Sequence, residues 1–416
     1  MSEINKKTVC PLPWLHFSAH LDSTMRICCN SDHLGFVFDD EGKTMKLRDV
    51  SSISEYFNVK YYKNIRSKMR NGEKPVECRK CYEVEENGGA SVRQSYLECY
   101  KDNEKFNESF NQTKPDGEIE PKVQSLDFSL SNNCNLKCIM CNPDASYPLK
   151  QDFDKLGFEY SKEFTQGAHI NWKDETPIER LIPEITEHLK EFLTTGGEPF
   201  LSKTHIAALK IIIESGKAKD VTLSYHTNCT IRNEELFRLW DEFKHISVHF
   251  SIDSHGPLDE YIRYGTKWEK VLSNVEMMLE KKNVHAEVHT CVQALNIFNL
   301  PELYDWIATL KNRIPSLPYH IWMHHPSWLH INILPREIKQ GALDRLKKHF
   351  EENKNGKDHF YEERSTQICS YLERSIRDEQ DLEGLRVFKE RIRKFEKLRG
   401  QEPVENLVPE LKCLFE

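Results

Sequence analysis

Between residues 124 and 325 the sequence repeats one unit: a short stretch of alternating apolar and polar residues, then an amphipathic stretch of helical period. QSLDFSLS (124–131) has period two and reads as a strand. PIERLIPEITEHLKEFL (177–193) reads as a helix whose end, EFLTT, turns into a second strand. KTHIAALKIIIES (203–215) is a helix stopped by Gly216. VTLSYHT (221–227) and HISVHFSID (245–253) are strands on either side of the helix NEELFRLWDEF (233–243). TKWEKVLSNVEMMLEKK (266–282), VHAEVHTCV (284–292), NLPELYDWIATL (299–310) and PYHIWMHH (318–325) continue as helix, strand, helix and strand. Strands separated by helices of about 10–15 residues form parallel βαβ units with right-handed crossovers. Six strands are too few for a closed eight-stranded barrel. The expected fold class is therefore α/β, an open partial (β/α)6, TIM-like barrel.

The loop after the first of these strands contains CNLKCIMC, with Cys134, Cys138 and Cys141 spaced Cys-x3-Cys-x2-Cys. Parallel α/β folds bind ligands at the carboxyl ends of their strands, so the position suits a reaction site. Three thiolates hold three irons of a four-iron, four-sulfur cube and leave the fourth without a protein ligand. An open metal position is the mark of a reactive site rather than a structural one. A zinc site is the alternative, but zinc closes with a fourth ligand, and the next histidine is His169.

This stretch resembles the radical S-adenosylmethionine (radical SAM) enzymes, whose signature is CxxxCxxC after the first strand of a partial barrel. Met140 stands where an aromatic usually precedes the last cysteine, and it fills the same apolar space. TTGGEPF (194–200) is similar to the family's GGEP stretch. The resemblance implies that Gly196, Gly197 and Glu198 hold the amino group of the cofactor's methionine moiety. HTNC (226–229) resembles the family's TNG and makes Asn228 a contact to the ribose or carboxylate. Ser251 and Asp253, in SID, resemble polar residues facing the cofactor. Arg263 resembles an arginine that pairs the methionine carboxylate, for which a guanidinium fork is suited. Taken singly, the GGEP and Asn228 signals also read as turns, and Arg263 as a surface arginine. The likeness runs over about residues 122–325. It implies bound S-adenosylmethionine, reductive cleavage to a 5′-deoxyadenosyl radical, hydrogen abstraction from a substrate, and an electron donor such as flavodoxin or ferredoxin.

The N-terminal cysteines form a second set: Cys10, the pair Cys28-Cys29, and Cys78 and Cys81 in CRKC. CPLPWLHFSAHLDSTMRICC resembles the opening of the auxiliary-cluster modules called SPASM or twitch domains, with Ser23 where glycine is usual. The resemblance implies an auxiliary 4Fe-4S cluster on Cys10, Cys28, Cys78 and Cys81, with Cys29 as the fallback for Cys28. A four-cysteine zinc knuckle is the alternative. In most relatives this module follows the barrel, whereas here it precedes it. The remaining cysteines, Cys99, Cys229, Cys291, Cys369 and Cys413, read as inert thiols. At the end of the last strand His324 and His325, with Trp328, are candidates for the substrate pocket; packing beneath the C-terminal helices is the other reading.

The expected domains are an auxiliary-cluster domain (1–97), a polar linker (98–122) with turn chemistry at Pro115-Asp116-Gly117, a radical SAM core (123–335) and a helical extension (336–416) that braces the open barrel edge. The net charge of −8, with acidic and basic residues interleaved, disfavours long nucleic acids as partners. No apolar run reaches the roughly 20 residues of a membrane span. MSEINKKTVCPLPW has no apolar signal region, so a cytoplasmic location is expected. Thirteen cysteines there read as metal ligands and buried thiols rather than disulfides. The functional expectation is a radical enzyme of oxidoreductase, epimerase or crosslinking type. Its substrate is a peptide or a small molecule such as a sugar or nucleotide. The reading from a different class is a non-catalytic, zinc-bearing binding module.

Overall fold

The computed structural model describes residues 4–31, 33–160, 177–353 and 359–416; His169 lies outside the described residues. Eight strands are present: β1 (His16–Ala19), β2 (Met25–Arg26), β3 (Ser125–Leu130), β4 (Glu191–Gly196), β5 (Thr222–Thr227), β6 (His245–Ser251), β7 (Val284–Val292) and β8 (Tyr319–Trp322). They form one sheet in the order β2-β1-β3-β4-β5-β6-β7-β8. The sheet is mostly parallel and does not close, as an open α/β barrel requires. β3 to β8 are the six strands expected from the sequence, and β7 has the expected ends. β8 is shorter than expected and stops before His324. β1 is an addition. It pairs parallel with β3, from His16 opposite Ser125 to Ala19 opposite Phe128, and antiparallel with β2.

The chain divides into two compact units: Met1–Asn133 with Lys162–Tyr225 and Asn233–Ile246, and Cys134–Ser161 with His226–Arg232 and Ser247–Glu416. In the first, Phe17, Phe128 and Phe192 from β1, β3 and β4 meet edge-on, at 5.8 and 5.6 Å between ring centres. Such pairs add to the area they bury. The polar stretch read as a linker carries a helix, Glu104–Gln112, capped by the Asn103 side chain, which accepts the Phe106 N–H at 2.9 Å. Phe106 and Phe110 stand four residues apart, so they share a helix face and pack on Trp14. Trp14 Nε1 donates to Thr113 Oγ1 at 2.9 Å. The fully buried Arg66 donates to the carbonyls of Gly117 and Pro13. The Pro115–Gly117 turn forms as expected; Gly117 has φ +90°, and a Cβ there would stand 2.1 Å from the Lys63 carbonyl.

In the second unit the C-terminal helices are Arg336–Glu352, His359–Arg377 and Leu382–Arg399, and the second of them packs on β8. Tyr371 stacks on Trp322 at 3.9 Å, and Tyr304 hydrogen-bonds His320 at 2.8 Å. Tyr319 and Ile321, on the other face, are exposed. Among the described residues no helix is long and apolar enough to cross a membrane.

Candidate functional site

The cysteine loop is held by backbone on one side and by a distant arginine on the other. Lys137 and Ile139 donate their N–H groups to the carbonyls of Tyr264 and Ile262, at 2.9 and 2.8 Å. Gly265, at φ +105°, follows this rung; a Cβ there would press on Leu136 at 3.2 Å. Ser146 Oγ donates to the Leu136 carbonyl at 3.0 Å. Arg399, at the end of its helix, donates Nη2 to the Lys137 carbonyl at 2.9 Å and Nε to Asp152 at 3.0 Å. Lys137 pairs the other Asp152 oxygen at 2.7 Å. The sequence reading missed this brace, because 247 residues separate Arg399 from Asp152 and no local pattern joins them.

Burial raises the Cys138 thiol well above its usual range and pushes Cys141 up to about 11, while the Arg263 guanidinium pulls both back down. Thiols raised this far stay protonated at neutral pH unless a metal displaces the proton. The donor set therefore fits a bound iron–sulfur cube: three converging cysteines with a cation beside them. Arg263 is buried, so the surface reading fails. Its Nε stands 2.8 Å from Asp253 Oδ2 and 4.0 Å from Asp259 Oδ1. Burial raises both carboxyls, Asp259 to about 7, and Arg263 opposes that rise. Asp259 accepts the N–H groups of Asp253 and Ser254, and Asp253 accepts that of Cys291 at 2.8 Å. Asn228 is nearly buried at the loop. Its Nδ2 donates to Asn135 at 3.0 Å and lies 3.9 Å from Cys134 Sγ. Ser251 closes β6, half-buried.

The GGEP stretch belongs to the first unit. Gly197 and Glu198 donate N–H groups to the carbonyls of Ser131 and Asn133, both at 2.9 Å. A Cβ on Gly197 would stand 2.2 Å from the Asn133 oxygen, and Gly196 sits at φ +118°. Gly197 is thus required by the close approach of two backbones and Gly196 by its left-handed backbone. Glu198 is buried and accepts the Phe200 N–H at 3.3 Å.

In the same unit Cys10, Cys28, Cys78 and Cys81 line one small cavity. Cys29 is exposed and is not among its lining residues. Burial and the neighbouring thiols raise Cys78 well above its usual range, and burial pushes Cys28 up to about 11. Ser23 has φ +66°, a backbone conformation that favours glycine. Among the described residues no three cysteine sulfurs lie within 4.8 Å of one another.

His324 and His325 are exposed beyond the end of β8, and His324 stacks on His330 at 5.3 Å. Trp328 is buried against Phe388 of the helix Leu382–Arg399, so for that residue packing is what the structure contains.

Residues 128–307 match the Radical SAM superfamily. The chain is 24% identical over 196 residues to a GTP 3′,8-cyclase of Peptoclostridium acidaminophilum, covering 46% of this chain and 54% of that protein. It is 22% identical over 238 residues to a probable GTP 3′,8-cyclase of Methanocaldococcus jannaschii, covering 56% and 72%. The chain thus spans about half the length of the first of these relatives. Among solved structures, anSMEcpe with bound AdoMet and a Kp18Cys peptide matches at 19% identity and a TM-score of 0.38, over 55% of this chain and 60% of that one. Streptococcus suis SuiB bound to S-adenosylmethionine matches at 12% and 0.37, over 65% and 57%.

Proposed function

We propose that this chain is a radical S-adenosylmethionine enzyme. The observation that carries the reading is the Cys134–Cys141 loop, fastened beside the buried Arg263–Asp253 pair within a Radical SAM superfamily domain. Cys134, Cys138 and Cys141 would hold a 4Fe-4S cluster, which together with S-adenosylmethionine would supply one-electron cleavage of the sulfonium and hydrogen abstraction from a substrate C–H bond. The protein's own share is positional. Arg263, oriented by Asp253 and Asp259, presents a cation for a carboxylate. Asn228 offers polar atoms at the loop, and Ser251 lies at the end of β6. Gly196, Gly197 and Glu198 keep their role toward the amino group on the resemblance.

Cys10, Cys28, Cys78 and Cys81 hold an auxiliary 4Fe-4S cluster that passes electrons and, being fully ligated, does not bind substrate. The parts this implies are the auxiliary domain (1–97), the core (123–335) and the brace (336–416), in a cytoplasmic protein served by a small reductant such as flavodoxin or ferredoxin. The substrate is a peptide or a small molecule, and likeness to the cyclases supports a nucleotide. The test is anaerobic reconstitution followed by S-adenosylmethionine and dithionite. Release of 5′-deoxyadenosine is expected, and its loss in Cys138→Ala. Chain with intact clusters that releases none would overturn the reading.

A further inference from the structure

One face of β6 and β7 carries a cluster that the radical reading leaves unused. Residues two apart share a strand face. His249 therefore looks the same way as Ser251, and Glu287 and His289 the same way as Cys291, opposite the buried Val248, Phe250, Val288 and Thr290. One ligand atom from each of His249, Glu287 and His289 lies within 4.8 Å of the other two. Glu287 Oε2 stands 3.5 Å from His289 Nε2 and 3.9 Å from His249 Nδ1. Ligands at about 2.1 Å around a tetrahedral ion stand about 3.4 Å apart, so the two separations from Glu287 need close by no more than about half an ångström. His289 Nε2 is buried, and the Glu287 carboxylate beside it works against the larger lowering of that imidazole by burial.

The rings support one another. His249 and His289 are 4.4 Å apart, and His226, at the end of β5, stacks on His249 at 4.6 Å. Burial lowers His249 and His226 to about 4 and lowers His289 as well, where the Arg364 cation adds to the effect. The imidazoles are thus neutral at physiological pH, the form that ligates. The Glu287 side chain is 51% exposed, so the site opens to solvent on the carboxylate side. Three protein ligands with an open side are the arrangement of reactive rather than structural ions.

We propose that His249, Glu287 and His289 bind a divalent transition-metal ion of the zinc class, apart from both cysteine sets, with open positions for an oxygen donor. His289 lies two residues from Cys291 on one strand face, about 7 Å along β7. Cys291 in turn donates its N–H to Asp253, the partner of Arg263. An oxygen ligand on this ion would thus be held along the strand that leads to the Arg263 pair.

The test is equilibrium dialysis of zinc against the anaerobic, cluster-loaded full chain, with iron and sulfide counted in every sample. One saturable zinc per chain at micromolar free zinc is expected. Glu287→Gln and His289→Asn should each weaken it by at least about tenfold with iron unchanged. Glu287 is half-exposed, so E287Q leaves the packing of the strand intact, and unchanged iron in both variants shows that the chain remains folded. Absence of a saturable zinc, or zinc retained in both variants, would overturn the proposal. Neither result depends on turnover, so the site stands or falls apart from the radical reading.

Discussion

At Gly197 one added carbon decides whether the turn after β4 closes. A methyl there would stand 2.2 Å from the Asn133 oxygen, an atom fixed in the backbone. Gly197→Ala should therefore destabilise the chain by about 1–3 kcal/mol, the usual cost of overpacking, read as a lower urea midpoint. Asp127 sets a pH dependence at the same scale. Burial raises its carboxyl to about 7. The unfolded chain releases that proton near the ordinary aspartate value of 3.8, so between these values the folded state holds more protons. Its contribution is fully present below pH about 4 and is lost as pH rises through about 7. Asp127→Asn should remove this trend, so that the variant gains on the parent between pH 5 and 8 by an amount on the order of 3 kcal/mol. Parallel urea titrations at the two pH values check it; equal slopes for both chains would refute it.

At the scale of elements, the helix Leu382–Arg399 acts through its last residue. Arg399 holds a carbonyl and a carboxylate of the cysteine loop while packing on Tyr264 and Phe395. Arg399→Met keeps most of the packing but leaves Asp152 with Lys137 alone. It should cost about 3 kcal/mol locally. Amide exchange in 134–141 should quicken, and a chelator should strip iron from that loop faster. Unchanged exchange would show that the backbone rungs from Tyr264 and Ile262 suffice. The elements also mark what could be read in advance. β7 was legible to the residue because VHAEVHTCV alternates without interruption. β1 was not, because HFSA gains its strand character from Ser125–Phe128, 109 residues on. The linker reading followed polar composition and overlooked that Phe106 and Phe110 share a helix face. Spacing alone could not choose between Cys28 and Cys29, and it is Cys28 that lines the cavity with Cys10, Cys78 and Cys81. His249, Glu287 and His289 were not, because the group is assembled across two strands and each histidine alone reads as a core residue.

For the whole molecule, the two cysteine sets lie in different compact units, and each is built from its own segments. Cys10, Cys28, Cys78 and Cys81 share a cavity and raise one another's thiols. Cys134, Cys138 and Cys141 answer instead to Arg263. If each set holds its own cube, iron should fall from about eight to about four atoms per chain in either Cys78→Ala or Cys138→Ala. The consequences should then differ. In Cys138→Ala no 5′-deoxyadenosine forms, because the open iron is gone. In Cys78→Ala its release under dithionite continues at a similar rate, while substrate product, which needs the auxiliary cluster's electron path, is lost. Iron analysis with chromatographic detection of 5′-deoxyadenosine separates these outcomes. A Cys78→Ala chain that retains all its iron would mean the N-terminal cavity binds no cluster. One that loses half its iron yet still forms product would mean the cluster is structural.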